Sequence, residues 1–390
     1  MVPAPRGAGG IRAADAGLTG AGAHFRGGER DIMKTRLILG TALALIAAPA
    51  LAEGPLNVTT YGGAFAKTVE EAYVKPFSEA TGIQTSVLDA SDPPAKLKAE
   101  VEAGNITSDV YEVEQSDVIR LCDEGLIEPI DPAALAKGAD GSAAADDYLP
   151  SALNECGTAI MVWSTAIAYD KDAFPNGAPQ TVADFFDTAK FPGKRGIIKR
   201  PKYALEFALL ADGVPAAEVY DVLSTPEGVD RAFKKLDTIK GDVVWWEAGA
   251  QAPQLLADKE VSMTLAYNGR IFDAIVGEGK NFGFVWDGVN LDMDYWVIPK
   301  GAPGKDAAMK FIAFASDPAR QAVMSSMIAY GPSRKSAAAS VGKYKDGTTD
   351  MAPYLPSTPE NAEKGLVNDA AFWADHGTEL TERFNAWLAS

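Results

Sequence analysis

The sequence predicts an α/β fold in two lobes, and three observations carry that expectation. Apolar strand-like runs alternate with helix-period segments from Leu56 onward. No internal repeat or low-complexity tract follows residue 52. With those 52 residues set aside from 390, the remaining chain exceeds the about 250 to 300 residues that one hydrophobic core supports.

The first 52 residues read as a leader. Met33-Lys34-Thr35-Arg36 opens a basic segment, Leu37 to Ala48 is apolar, and Ala50-Leu51-Ala52 closes a signal peptide over 33–52. Residues 1–32, rich in Gly, Ala and Arg without an apolar period, read as an over-called upstream start. The apolar stretch is shorter than the about 20 residues needed to span a bilayer, and no later run approaches that length. Glu53 rather than a Cys follows the cleavage site, which leaves nothing to take a lipid anchor. A mature chain released into the periplasm is expected.

Leu56 to Tyr61 reads as a buried strand, Lys67 to Ala80 as a helix stopped at Thr81-Gly82, and Ile83 to Leu88 as the next strand. Ala95 to Ala103 repeats the helical period before Gly104, and Asp109 to Val113 returns to alternation. Ile119 to Gly125 is a short helix carrying Cys122, followed by a Gly-, Ala- and Asp-rich loop over Ala136 to Asp147. Ile160 to Tyr169 is a long apolar run, suited to a strand that leaves one lobe and enters the next, with Asp170-Lys171-Asp172 as its turn. Thr181 to Thr188, Tyr203 to Ala211 and Pro226 to Ile239 are helical by period, while Val243 to Trp246 and Val261 to Tyr267 read as strands. Asp294 to Ile298 is a further strand closed by Pro299, and Ala307 to Ala315 and Pro318 to Met327 are amphipathic helices. Leu380, Phe384, Trp387 and Leu388 mark a terminal helix. The expected lobes are 53–165 with 270–325, and 166–269 with 326–390.

Charge and residue counts exclude several classes of function. Lys and Arg number 36 against 53 Asp and Glu, a net charge of −17. A phosphate backbone needs cations to displace its counterions, so nucleic acid is a poor partner. The same charge favours solubility and would draw a cationic solute. Only His24 and His376 are present, the first inside the leader, so triads that need a base beside the nucleophile and zinc sites built on His or Cys lack their parts. Gly277, Gly279 and Gly283 miss the dinucleotide spacing and follow no strand, and Ser340-Val341-Gly342-Lys343 lacks its companion motifs. Asp292 and Asp294 are a carboxylate pair whose separation sequence leaves open. No catalytic residue, metal or cofactor is expected. Cys122 and Cys156, 34 positions apart in an exported chain, are expected to form a disulfide.

Several segments in order then carry a resemblance. They are Thr59-Thr60-Tyr61-Gly62-Gly63, Pro76-Phe77 with Thr81-Gly82-Ile83, Gly125-Leu126-Ile127-Glu128-Pro129-Ile130-Asp131, Trp163 to Tyr169, Tyr267-Asn268-Gly269, and Asp294 with Ile298-Pro299. From about Leu56 to the end the chain resembles the spermidine/putrescine type of periplasmic substrate-binding protein that feeds ABC importers. The resemblance implies a type II periplasmic binding protein fold, with two α/β lobes, hinge crossings and a ligand cleft between them. It also implies a small amine or amino-acid ligand, a membrane permease as partner, and a monomer.

In that family aromatic walls cover an alkyl chain and carboxylates hold ammonium groups, since methylenes bury against rings and cationic ends need charged acceptors. Tyr61, at the end of the first strand, and Tyr267, opening the hinge segment, match the aromatic positions. Trp245 and Trp246 are adjacent, so only one can face a cleft. Asp294 falls where the family places its ammonium-binding carboxylate, and Glu114 and Tyr203 are further candidates, with Glu206 beside Tyr203. Arg270 departs from the polyamine-binding pattern, which has a small residue there. A guanidinium repels a diamine and suits a carboxylate, so Arg270 with Asp294 matches a zwitterion such as 4-aminobutyrate. Trp245-Trp246-Glu247-Ala248-Gly249-Ala250-Gln251 before this hinge resembles the branch of the family that binds 4-aminobutyrate. If Arg270 instead closes a structural salt bridge, putrescine or spermidine is the better ligand.

Overall fold

The computed structural model describes residues 55–390; the expected leader, 1–52, with its expected signal peptide over 33–52, lies outside the described residues. The first half of the chain runs β1 (Leu56–Thr60), α1 (Gly63–Val69), α2 (Lys75–Thr81), β2 (Thr85–Asp89), α3 (Pro93–Ala103), β3 (Val110–Glu114), α4 (Gln115–Asp123), α5 (Ala144–Asp147) and β4 (Thr158–Asp170). A π-helical turn, Glu70–Val74, joins α1 to α2. The middle runs α6 (Val182–Phe186), β5 (Arg195–Ile198), α7 (Pro201–Ala211), α8 (Val219–Leu223), α9 (Pro226–Asp237), β6 (Val243–Trp246), α10 (Gln251–Ala257), β7 (Met263–Tyr267), α11 (Asn268–Phe272) and β8 (Phe282–Val297). The chain ends with α12 (Lys305–Ala315), α13 (Pro318–Ser325), β9 (Gly331–Pro332), α14 (Lys335–Ala338), α15 (Pro359–Ala362), β10 (Leu366–Val367) and α16 (Ala370–Ala389).

Sheet order is β2-β1-β3-β8-β4-β7-β5-β6. β1 pairs in parallel with β2 and β3 on one side, and β5 pairs in parallel with β6 and β7 on the other. Parallel neighbours need helical crossovers, and the helices between these strands supply them. β8 and β4 run antiparallel between the two groups. Asp294 to Val297 of β8 pair with β3, while Thr165 to Tyr169 of β4 pair with β7. Two long strands therefore tie together two parallel β/α units, the arrangement of a two-lobed binding fold. The β4–β8 register shifts between Ala159 and Met161 and again between Thr165 and Ile167. Such irregularities bend a strand pair, here along the two crossings.

Most expected elements occur within a few residues of their predicted limits, and the departures have local causes. β8 was expected only from Asp294 but begins at Phe282, because Asp287, Gly288, Asn290 and Asp292 interrupt its apolar pattern. Gly288 adopts a φ of +68°, a conformation that glycine tolerates without a Cβ penalty. β5 is only four residues long and was not anticipated. α4 starts at Gln115, directly after β3, so its carboxyl end carries Cys122 to within a Cα separation of 5.9 Å from Cys156, and the disulfide forms.

Each side of the sheet has its own packed layer. Phe77 of α2 meets Phe311 and Phe314 of α12 at ring-centroid distances of 5.4 and 5.6 Å. Across the molecule Trp245 and Phe233 pack on Phe384 and Trp387 of α16. Among the described residues no helix is long and apolar enough to cross a membrane.

Candidate ligand-binding site

Where the crossings meet the carboxyl ends of β1, β3 and β7, a small cavity of about 30 Å³ opens between Tyr61, Phe65, Glu112, Glu114, Met161, Trp163, Tyr267, Arg270, Asp294 and Tyr330. The aromatic walls come from separate elements. Trp163 on β4 stands edge-on to Tyr267 at 4.9 Å, and Phe65 on α1 stands edge-on to Tyr330 at 5.7 Å.

One end of the cavity is a carboxyl pair. Alternate positions of β3 direct Glu112 and Glu114 the same way, and β8 brings Asp294 opposite Glu114. Asp294 accepts a hydrogen bond from the Trp163 indole N–H at 2.9 Å, and Glu112 accepts one from the Tyr61 backbone N–H at 3.0 Å. The two carboxyls also hydrogen-bond to each other. Burial raises both, Glu112 to about 7 and Asp294 well above the usual carboxylate range, with their mutual repulsion adding to the effect on Asp294. Two buried carboxyls in contact cannot both ionise without a cation, so the pair by itself retains a proton at neutral pH.

Arg270 lies on the same cavity. It is buried, yet among the described residues it makes no hydrogen bond or ion pair, and its Nε is a buried donor without a partner. Its guanidinium carbon lies 5.9 Å from the Tyr267 ring centroid. The structural salt bridge that would have favoured a polyamine has no partner here. A buried guanidinium of this kind calls for an anion from outside the chain.

Glu114 reaches the wall but is already engaged. Arg200 donates to one oxygen and Lys202 to the other, both at 2.8 Å. Lys202 also pairs with Asp292 at 2.7 Å, and the single Tyr203 hydroxyl proton is shared between Asp292 at 2.9 Å and the second Glu114 oxygen at 3.3 Å. Burial alone would raise Glu114, but Arg200 and Lys202 hold it down at about 2. These charges tie β3 to the start of α7 and to β8, across the crossings. Tyr203 adopts a φ of +73°, which in a bulky residue stores strain, and the buried hydroxyl contacts hold it there.

The remaining predicted residues divide. Tyr61, Tyr267, Arg270 and Asp294 line the cavity with Glu114, whereas Tyr203 stands behind Trp163 at 5.7 Å and does not reach the wall. Glu206 is also away from the site, accepting from Trp373 and Tyr220. Alternation along β6 separates the two tryptophans. Trp246 buttresses Tyr267 at 5.6 Å, and Trp245 turns to α16, so neither belongs to the wall. Phe65, Glu112, Met161, Trp163 and Tyr330 were not singled out. For Glu112 the signal was present, since residues two apart on a strand share a face with Glu114. Nothing in the sequence around Tyr330 marks it. Among the described residues no group of three or more His, Cys, Asp or Glu could hold a metal ion.

The two-lobed fold with a charged, aromatic-walled cavity at its crossings defines a solute-binding protein. The chain belongs to the bacterial extracellular solute-binding protein family, whose model matches residues 72–353. It is 47% identical over 347 residues to a gamma-aminobutyric acid-binding protein of Pseudomonas aeruginosa, covering 89% of this chain and 94% of that one. A solved GABA receptor is similar at 34% identity and a TM-score of 0.72, covering 86% of this chain and 98% of that chain. The periplasmic binding protein MotA of Agrobacterium tumefaciens B6, solved with glucopine, is similar at 31% identity and a TM-score of 0.78, covering 86% and 99%.

Proposed function

We propose that the protein is the periplasmic binding component of an ABC importer and that it captures an ω-amino acid such as 4-aminobutyrate. The observation that carries this reading is the buried, unpartnered Arg270 guanidinium facing the same small cavity as the Glu112–Asp294 pair. The ligand carboxylate docks on Arg270. The ammonium docks on the carboxyl pair and displaces its proton, while Tyr61, Phe65, Trp163, Tyr267 and Tyr330 cover the methylenes. A diamine sets an ammonium against Arg270, and a dicarboxylate sets an anion against Asp294. The similarity to GABA-binding relatives supports the same ligand. The protein delivers its ligand unchanged, acts as a monomer, and closes residues 53–165 with 270–325 against 166–269 with 326–390.

Calorimetric titration of the mature chain with 4-aminobutyrate, n-butylamine, butyrate and putrescine tests this. Saturable binding of 4-aminobutyrate, at least about tenfold tighter than either half-molecule, is expected from two charged anchors. Preference for putrescine would overturn the reading, as would consumption of 4-aminobutyrate during incubation.

A further inference from the structure

Arg270 makes no hydrogen bond or ion pair with the described residues, and its guanidinium occupies space that two glycines leave open. Gly63 opens the first turn of α1, and a methyl group added there would overlap Nη1 of Arg270. Gly249 lies in the turn after β6, and a methyl group there would stand 2.7 Å from Nε of Arg270 and 2.7 Å from Cε2 of Tyr267. Real carbons do not approach that closely, so a side chain at either position and the guanidinium in its present place exclude each other. The slot has an open side. Arg270 lines the carboxyl-bearing cavity, and it also lines a space with Gly63 and Ala250 and another with Gly249 and Tyr61. The guanidinium therefore stands where three spaces meet, in room that a side chain at Gly63 or Gly249 would take.

We propose that Gly63 and Gly249 are positioning residues that seat the Arg270 guanidinium and thereby restrict the ligand to amines that carry a carboxylate. The proposal rests on the zwitterion reading above. Gly63 also has a φ of +68°, so its replacement would confound strain with crowding. Gly249 has no such backbone demand and is the cleaner probe.

The experiment is a double-mutant cycle on the mature chain: wild type, Gly249→Ala, Arg270→Ala and the double variant. Titration with 4-aminobutyrate and n-butylamine is combined with thermal melting of the unliganded proteins. Gly249→Ala should weaken 4-aminobutyrate by about 30-fold or more, the low end of losing one partner of a buried charge pair. Its effect on n-butylamine, and on 4-aminobutyrate in the Arg270→Ala background, should be at least about tenfold smaller, since only the crowding of Tyr267 remains there. Equal losses on both backgrounds would overturn the proposal and assign Gly249 to Tyr267 packing alone. If Gly249→Ala fails to fold, folding of the double variant supports the slot and failure of both overturns it. A wild type that binds no 4-aminobutyrate sinks the ligand reading, and the melting temperatures then score the slot. A depression by Gly249→Ala that vanishes on the Arg270→Ala background supports it, and an equal depression on both overturns it.

Discussion

Replacing Arg270 by Met keeps most of the apolar stem and removes only the charged fork, which makes its consequences calculable. In the bound state the guanidinium faces a ligand carboxylate in a buried cavity. Truncating one partner of such a pair costs about 2 to 5 kcal/mol, or about 30- to 4,000-fold in affinity for 4-aminobutyrate. n-Butylamine lacks the carboxylate and should lose less than about threefold. Putrescine should gain, because two unit charges about 5 Å apart at an effective dielectric of about 20 repel by about 3 kcal/mol. In the unliganded protein Arg270 makes no hydrogen bond or ion pair with described residues, so the Met variant should melt no lower than wild type. Calorimetric titration with the three ligands and a thermal melt without ligand make the comparison. A variant that loses 4-aminobutyrate and n-butylamine equally, and melts several degrees lower, would show that Arg270 supports the fold and not the ligand.

The carboxyl groups give a pH dependence whose sign can be worked out. Glu112 is raised to about 7 when folded, so its contribution to stability is complete below its unfolded value near 4.5 and is lost as pH rises through about 7. Glu114 is lowered to about 2, so its contribution is present above about 4.5 and is lost as pH falls towards 2. The charged groups around the pair are Glu114, Asp292 and Arg270. Because an ammonium favours the ionised pair, binding of 4-aminobutyrate should release a proton and tighten between pH 5 and 7, seen as a buffer-dependent heat of binding; a constant Kd over that range refutes this. Glu114→Gln leaves Arg200 and Lys202 with one carboxylate fewer. It should lower the unliganded melting temperature and speed ligand release, with the ratio of 4-aminobutyrate to n-butylamine affinity unchanged. A change in that ratio would instead make Glu114 a ligand contact.

What the sequence determined by itself was local. Apolar runs and their stop signals marked both parallel β/α units and one of the two crossings, because burial on a sheet face or helix stripe leaves a period in the chain. The family resemblance, not the period, marked Asp294 and the departure at Arg270. It could not say what stands opposite them. Trp163 meets Asp294 across 131 positions and Lys202 meets Glu114 across 88, contacts that exist only once the sheet has closed. Tertiary structure therefore decided that Glu114 is occupied by cations, that Trp245 belongs to α16, and that β8 passes through its carboxylates as a strand. It also decided that Arg270 has no hydrogen-bond or ion-pair partner among the described residues. A strand's alternation assigns a residue to a face, but the charge or ring that it meets there comes from a distant segment brought in by folding.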